Sequence, residues 1–200
     1  MPGNKFRKGL RNLVNVKKQV SNNLDEKLLK IDFLCYLFMI FIIGCFVGWV
    51  YEEAFYWITE GMLRNRGVLY GPWLPIYGIG ALGIYAMKPF KKQPLTLFLL
   101  CAGITGVVEY IIGIISIKFF NMRLWDYRGL FLNIKGIICF RSIISFALLG
   151  LLFHYIVEPN AYKLFNKTNK NSTRIVCAAG LLILLIDMVL SLFFRTPITY

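Results

Sequence analysis

Acidic residues, histidine and nucleotide-binding motifs are all scarce in this chain. It has 200 residues with only 10 Asp and Glu, a single histidine, and 16% charged residues. Soluble domains usually carry about 25% charge. No GxxxxGK[ST] run occurs, so the chain cannot cradle ATP phosphates in a P-loop of its own. Its five cysteines, Cys35, Cys45, Cys101, Cys139 and Cys177, form no CxxC pair and no Cys/His cluster. Zinc needs several such ligands together, so no metal is expected, and buried unpaired thiols are the simpler reading. No short apolar core with a small-residue cleavage site opens the chain, so no signal peptide is expected. No nucleophile–base constellation is legible, no catalytic residue is assigned, and no cofactor is expected.

Apolar length is abundant. Hydrophobic residues make up 58% of the chain, and its mean hydropathy is +0.61. These values belong to the membrane class. The expected fold is all-α: a polytopic transmembrane helical bundle of about five spans, over residues 33–56, 71–87, 94–117, 136–157 and 175–194. The second stretch holds Pro72, Pro75, Gly78, Gly80 and Gly83, so its start should be bent or unwound. Residues 1–30 form a basic arm. Leu10, Leu13, Val20, Leu24 and Leu28 suit a helix on the membrane surface, and a flexible basic tail is the alternative. Residues 31–200 would form the bundle.

The net charge of +13 reads as a topology signal, because basic residues flank apolar runs. With five spans, 15 Lys and Arg fall on the side of the arm and the 88–93 and 158–174 loops, against 7 on the other. The positive-inside rule then puts the N-terminus in the cytoplasm, of a bacterial plasma membrane on this reading. The lipid bilayer is the expected partner, and nucleic acid is not.

Ionisable residues inside spans cost about 2.5–3.5 kcal/mol each and usually face a bundle interior or a wet cavity. At 1.5 Å per residue, Glu52 stands about 28 Å above the cytoplasmic start of its span, Glu109 about 21 Å and Asp187 about 18 Å. Arg141 lies about 6 Å from the outer end of the fourth span. Small residues share their faces: Gly44 and Gly48 before Glu52, Gly106 and Gly113 around Glu109, Gly180 and Ser191 around Asp187. Such faces allow close helix approach and should point inward. The expectation is an outer-half polar cavity in which Glu52 and Glu109 contact a cation or polar solute. Arg141 would tune their charge, or would clamp one carboxylate merely to fix packing. Glu53, about 100° around from Glu52, would reach the interface, and Asp187 could pair across a dimer contact.

Two loop segments add to this picture. The first reads Asn65-Arg66-Gly67-Val68-Leu69-Tyr70-Gly71-Pro72-Trp73-Leu74-Pro75-Ile76-Tyr77-Gly78. Irregular backbone of this kind is tolerated at membrane depth only beside protein or a cavity. It either binds ligand through free backbone groups or simply turns the chain back into the bilayer. The second, Arg123-Leu124-Trp125-Asp126-Tyr127, either anchors at the interface through its aromatics or closes over the cavity with Asp126. A full crossing by 118–135 is not expected.

Gly48-Trp49 with Glu52, Arg66-Gly67, Gly71-Pro72, Pro75-Ile76-Tyr77-Gly78, Glu109 and Trp125-Asp126-Tyr127 together resemble the putative ABC-transporter type IV family of small bacterial membrane proteins. The likeness covers roughly residues 33–150, leaving the arm and the fifth span outside. It implies a multi-span permease-like component and assigns no residue a role. On the residues alone, the 65–80 segment with Arg66 and Tyr77, together with Asp126, would shape the entrance beside Glu52, Glu109 and Arg141. A permease role would require a separate P-loop ATPase subunit, and so small a bundle would suit a homo-oligomer. Two other classes compete: a membrane enzyme using Glu52 or Asp126 as general base on a lipid or envelope substrate, and a non-catalytic subunit of a membrane complex.

Overall fold

In the computed structural model, the described residues are 3–61 and 67–195 for the backbone, and 28–61 and 67–195 for side chains. Their regular elements are all helical, without a named strand. Helix α1 runs Gly3–Glu60, α2 Pro75–Ala86, α3 Pro94–Phe120, α4 Phe140–Leu152, α5 Glu158–Lys167 and α6 Lys170–Phe194. A 3-10 turn, Lys88–Phe90, follows α2, and a π-helical turn, Phe153–Val157, joins α4 to α5. Among the described residues, four stretches are long and apolar enough to cross a membrane: Leu28–Glu60, Pro94–Phe120, Phe140–Lys167 and Lys170–Phe194. The basic arm continues into the first of them as one helix, α1.

The second stretch differs from a full span. Only 12 residues of it are helical, about 18 Å at the α-helical rise. Pro75 starts α2 at a position where its missing N–H costs nothing. The residues before it, Gly67–Leu74, take irregular backbone, as the Gly and Pro content predicts. Helix α4 starts at Phe140 rather than near 136, because Cys139 and Ser142 form a reciprocal cap there: each side chain receives the other's backbone N–H. Asn121 ends α3 in the left-handed conformation, φ +51°, a common helix stop. The π turn has a local cause in Pro159. Its ring has no N–H and would crowd the Tyr155 carbonyl four residues back, and the widened turn relieves that conflict.

Packing follows from small residues. A Cβ on Gly44 would lie 2.5 Å from that of Ala81, and one on Gly48 would fall within the Tyr77 ring. So α1 and α2 approach through the GxxxG face. Helix α6 lies parallel to α1 at a fixed offset. Arg174 pairs with Asp32 at 2.7 Å, the Cys177 thiol reaches the Cys35 carbonyl at 3.6 Å, and Gly180 faces Phe38. Each pair is 142 residues apart, so the helices stay in register for two turns. Tyr36, Ile40, Ala81, Ile84, Leu97, Cys101, Phe153 and Phe165 form the core. Large apolar side chains on α6 face outward, including Leu192 at 71% and Phe193 at 77% exposure. Such a face is at home only against hydrocarbon or another apolar surface.

Helices α1, α3 and α6 run one way, α2 and the continuous α4–α5 stretch run the other, and polar groups gather at two ends. The arm end holds Asp32, Tyr36, Lys88, Lys91, Glu158 and Arg174. The far end holds Glu52, Tyr77, Glu109, Tyr127, Ser142 and Asp187.

Candidate functional site

At the far end the backbone decides which side chains meet. Because Gly48 has no side chain, the Tyr77 ring settles against α1, and its hydroxyl donates to Glu52 Oε1 at 2.5 Å. On α3, Gly106, Glu109 and Gly113 are all buried on one face, as their spacing predicts. Glu109 is 3% exposed. It receives the Ser142 hydroxyl on Oε2 at 2.9 Å and the Tyr127 hydroxyl as a second donor. Both carboxylates are thus held by neutral hydroxyl donors from elements distant in sequence.

Tyr127 is delivered by a loop that folds back on itself. The Trp125 indole donates to the Ile137 carbonyl at 2.7 Å, and the Tyr127 N–H donates to the Gly136 carbonyl at 2.9 Å. Gly136 has φ +68°, a conformation that side chains other than glycine rarely adopt. Asp126 organises the turn, accepting the Arg128 backbone N–H at 2.9 Å and its Nε at 2.7 Å, with Arg123 3.9 Å away. These Arg128 hydrogen bonds hold the Asp126 carboxyl down at about 2. Burial, and then the nearby Glu109 and Glu52 charges, push the Tyr127 phenol well above its ordinary value. It therefore stays a proton donor at neutral pH.

Below this cluster a cavity of about 80 Å³ opens between α1, α2, α3 and α4. Its walls are mainly apolar, from Ile43, Val47, Ile84, Val108, Phe146 and Phe153 among others, and Tyr77, Thr105 and Glu109 supply its polar groups. It is thus less polar than the sequence suggests. Glu109 lines it directly, and Glu52 adjoins it through Tyr77.

The remaining expected site residues lie elsewhere. Arg141 is exposed, with its guanidinium 5.4 Å above the Phe55 ring. Its neighbour Ser142 takes the inward position at Glu109, because a helix starting at Phe140 turns residue 142 to that face. Asp126 serves its own loop. Arg66 lies outside the described residues. Glu53 is buried at 7% exposure.

Asp187 receives four donors in the far half. It accepts the backbone N–H of Tyr70 at 2.9 Å and of Gly71 at 2.8 Å, the Trp73 indole at 2.6 Å and the Ser191 hydroxyl at 3.0 Å. This carboxylate therefore latches α6 to the Gly67–Leu74 segment. Sequence reading gave it no such partner, since the contacts span more than 110 residues.

Sequence reading also left the arm-end cluster unassembled. Buried Glu158 receives Lys88 Nζ at 2.7 Å, Lys91 Nζ at 3.5 Å and the Tyr36 hydroxyl at 3.3 Å. Lys88 lies between Tyr85 and Tyr162, 5.6 and 5.5 Å from their centroids. The hydrogen bond to Glu158 raises the Lys88 ammonium above its usual range. One signal pointed here: a glutamate beside Pro159 at the end of an apolar run, facing lysines in a short loop. Among the described residues no three His, Cys, Asp or Glu side chains converge as metal ligands.

No curated protein matches the chain, and no solved structure does. A model of the family described as putative ABC-transporter type IV matches residues 39–192. The match takes in α6, so the likeness extends past residue 150 to the helix carrying Asp187. With most of its length covered by that match, the chain belongs to the putative ABC-transporter type IV family of membrane proteins.

Proposed function

We propose that the chain is a permease-like component of a transporter, set in a bacterial plasma membrane with its arm end in the cytoplasm. The observation that carries this reading is the cavity against Glu109. A carboxylate whose donors among the described residues are hydroxyls, in a mainly apolar wall, favours a ligand that brings positive charge or hydrogen-bond donors. Glu52, Tyr77 and Tyr127 would complete the binding end. Arg141 would belong to the rim, and Asp126 would set the Tyr127 turn. At about 80 Å³, the space is smaller than the roughly 150 Å³ of a cavity that admits benzene. An ion or a small polar group fits as the helices stand, and anything larger requires them to part.

The chain lacks a P-loop, so energy from ATP would come from a separate ATPase docking at the arm end, where the α2–α3 turn presents Lys88, Lys91 and Lys92. The outward apolar face of α6 suits lipid or a second copy of the chain. The test is a mild-detergent pull-down of the tagged protein from native membranes, with partners identified by mass spectrometry. A stoichiometric P-loop ATPase, whose turnover in the complex is lost on Glu109→Gln, is the expected result. The protein coming down alone, or a Glu109→Gln complex of unchanged turnover, removes the reading.

One contact favours the enzyme reading: the Ser142 hydroxyl donates to Glu109, as a nucleophile does to a base. The same oxygen accepts the Cys139 N–H at 3.1 Å as part of the α4 cap. Both side chains are buried, so the pair serves the helix start better than it serves attack on a substrate.

A further inference from the structure

His154 is the single histidine of the chain and is fully buried. Its Nε2 lies 2.7 Å from the Ile84 carbonyl oxygen. A carbonyl only accepts, so Nε2 carries the hydrogen, and in the neutral ring Nδ1 is a bare acceptor. No donor among the described residues reaches Nδ1. The ring sits in the π-helical turn Phe153–Val157, and such turns are frequent at functional positions. Ile84, Phe153 and Val157 also line the cavity, which places the imidazole behind the wall opposite the Glu109 end.

The charged groups facing it are Lys91, Glu158 and Lys88. Beyond them stand the hydroxyls of Tyr36 from α1 and Tyr85 from α2, with the Cys101 thiol of α3 in the same core. Two lysines already share one carboxylate there. An imidazolium would be a third cation around a single anion.

We propose that His154 is a proton-binding site, and that proton uptake at Nδ1 opposes the latch of Lys88 and Lys91 on Glu158. The step is a simple protonation: Nδ1 takes a proton from solvent and the neutral ring becomes imidazolium. Linkage makes the opposition reciprocal. Protonation loosens the α2–α3 turn from Glu158, and removing a lysine charge favours protonation. This holds whatever the cavity carries, so it stands apart from the permease reading.

A lone histidine makes the test clean. The full chain, labelled with 15N in the imidazole and held in lipid nanodiscs, is followed by NMR across about pH 5 to 8, where histidine charge changes are ordinarily read. The expected result is an Nε2–H ring with bare Nδ1 at the upper end and reversible protonation of Nδ1 toward the lower. At fixed pH, Lys88→Met should raise the ratio of charged to neutral ring severalfold, and Glu158→Gln should lower it. Lys91→Met is the second variant should Lys88→Met fail to fold. Amide exchange of residues 88–93 should quicken as the ring protonates. A ring that stays neutral across the range overturns the proposal. So does an unchanged ratio in the lysine and glutamate variants, or loop exchange indifferent to ring charge.

Discussion

Replacing Asp187 by asparagine is the sharpest test of how the far end is held. The carboxylate receives four donors, two on each oxygen: Tyr70 N–H and Ser191 on Oδ1, Gly71 N–H and the Trp73 indole on Oδ2. Asparagine keeps the size but offers one acceptor oxygen. Whichever way the amide turns, two donors then face an NH2 group. Hydrogen bonds to a charged group are worth about 1.5–3 kcal/mol each, so two lost bonds give about 3–6 kcal/mol before relaxation. Tyr70 is exposed and Gly71 only half-buried, so water can replace part of that, and about 3 kcal/mol remains. This corresponds to roughly a hundredfold rise in local opening. Hydrogen exchange read at single amides measures it directly. Tyr70 and Gly71 should lose about two decades of protection in Asp187→Asn, while amides in the middle of α3 stay unchanged. Equal protection at Tyr70 and Gly71 in the variant and the parent would refute the latch.

Further predictions concern packing, the loop and the latch. Gly48→Ala places a Cβ within the Tyr77 ring and should cost about 1–3 kcal/mol by overpacking. Gly103→Ala meets open space and should be neutral or stabilise by up to about 1 kcal/mol; thermal unfolding in detergent compares the two. Asp126 is held at about 2, below its unfolded value of about 3.9, so its contribution is complete above about pH 4 and is lost as pH falls through 2. Exchange of the Arg128 amide should therefore stay protected on mild acidification and speed up only toward pH 2. Ser191→Ala removes one donor to Asp187 and one acceptor from Tyr70, and should raise Tyr70 exchange about fivefold, for about 1 kcal/mol.

What the sequence could reveal depended on whether a contact was local. Apolar runs marked the helices, since crossing about 30 Å of hydrocarbon takes about 20 residues. The density of Gly and Pro over 67–80 marked the irregular entry into α2. The GxxxG at Gly44 and Gly48 marked an inward face of α1, because small residues i and i+4 on one face imply a close neighbour, without telling that the neighbour is α2. Side-chain direction in the fourth span was not legible, since it depends on where the helix starts. A start at Phe140 rather than 136 gives Glu109 to Ser142 and leaves Arg141 on the surface. The Asp187 latch and the Glu158 cluster join segments about 70 to 120 residues apart, and no local pattern announces which loop a carboxylate will meet.

The short second helix leaves the far end of the bundle to irregular backbone, while its own length, from Ile76 to Ile84, forms one wall of the cavity. Helix α2 covers only about 18 Å, and Gly67–Leu74 leads into it as irregular chain whose backbone polar groups need partners inside the protein. Asp187 supplies those partners from α6. The space left between α1 and α4 lies beside Tyr77 and Glu109. The acid on α6 and the acid on α3 therefore have different tasks. Asp187 holds the wall, and it should be tested by local exchange. Glu109 faces the space, and it should be tested by turnover. A variant at Asp187 that lost turnover while keeping its exchange protection would contradict that division.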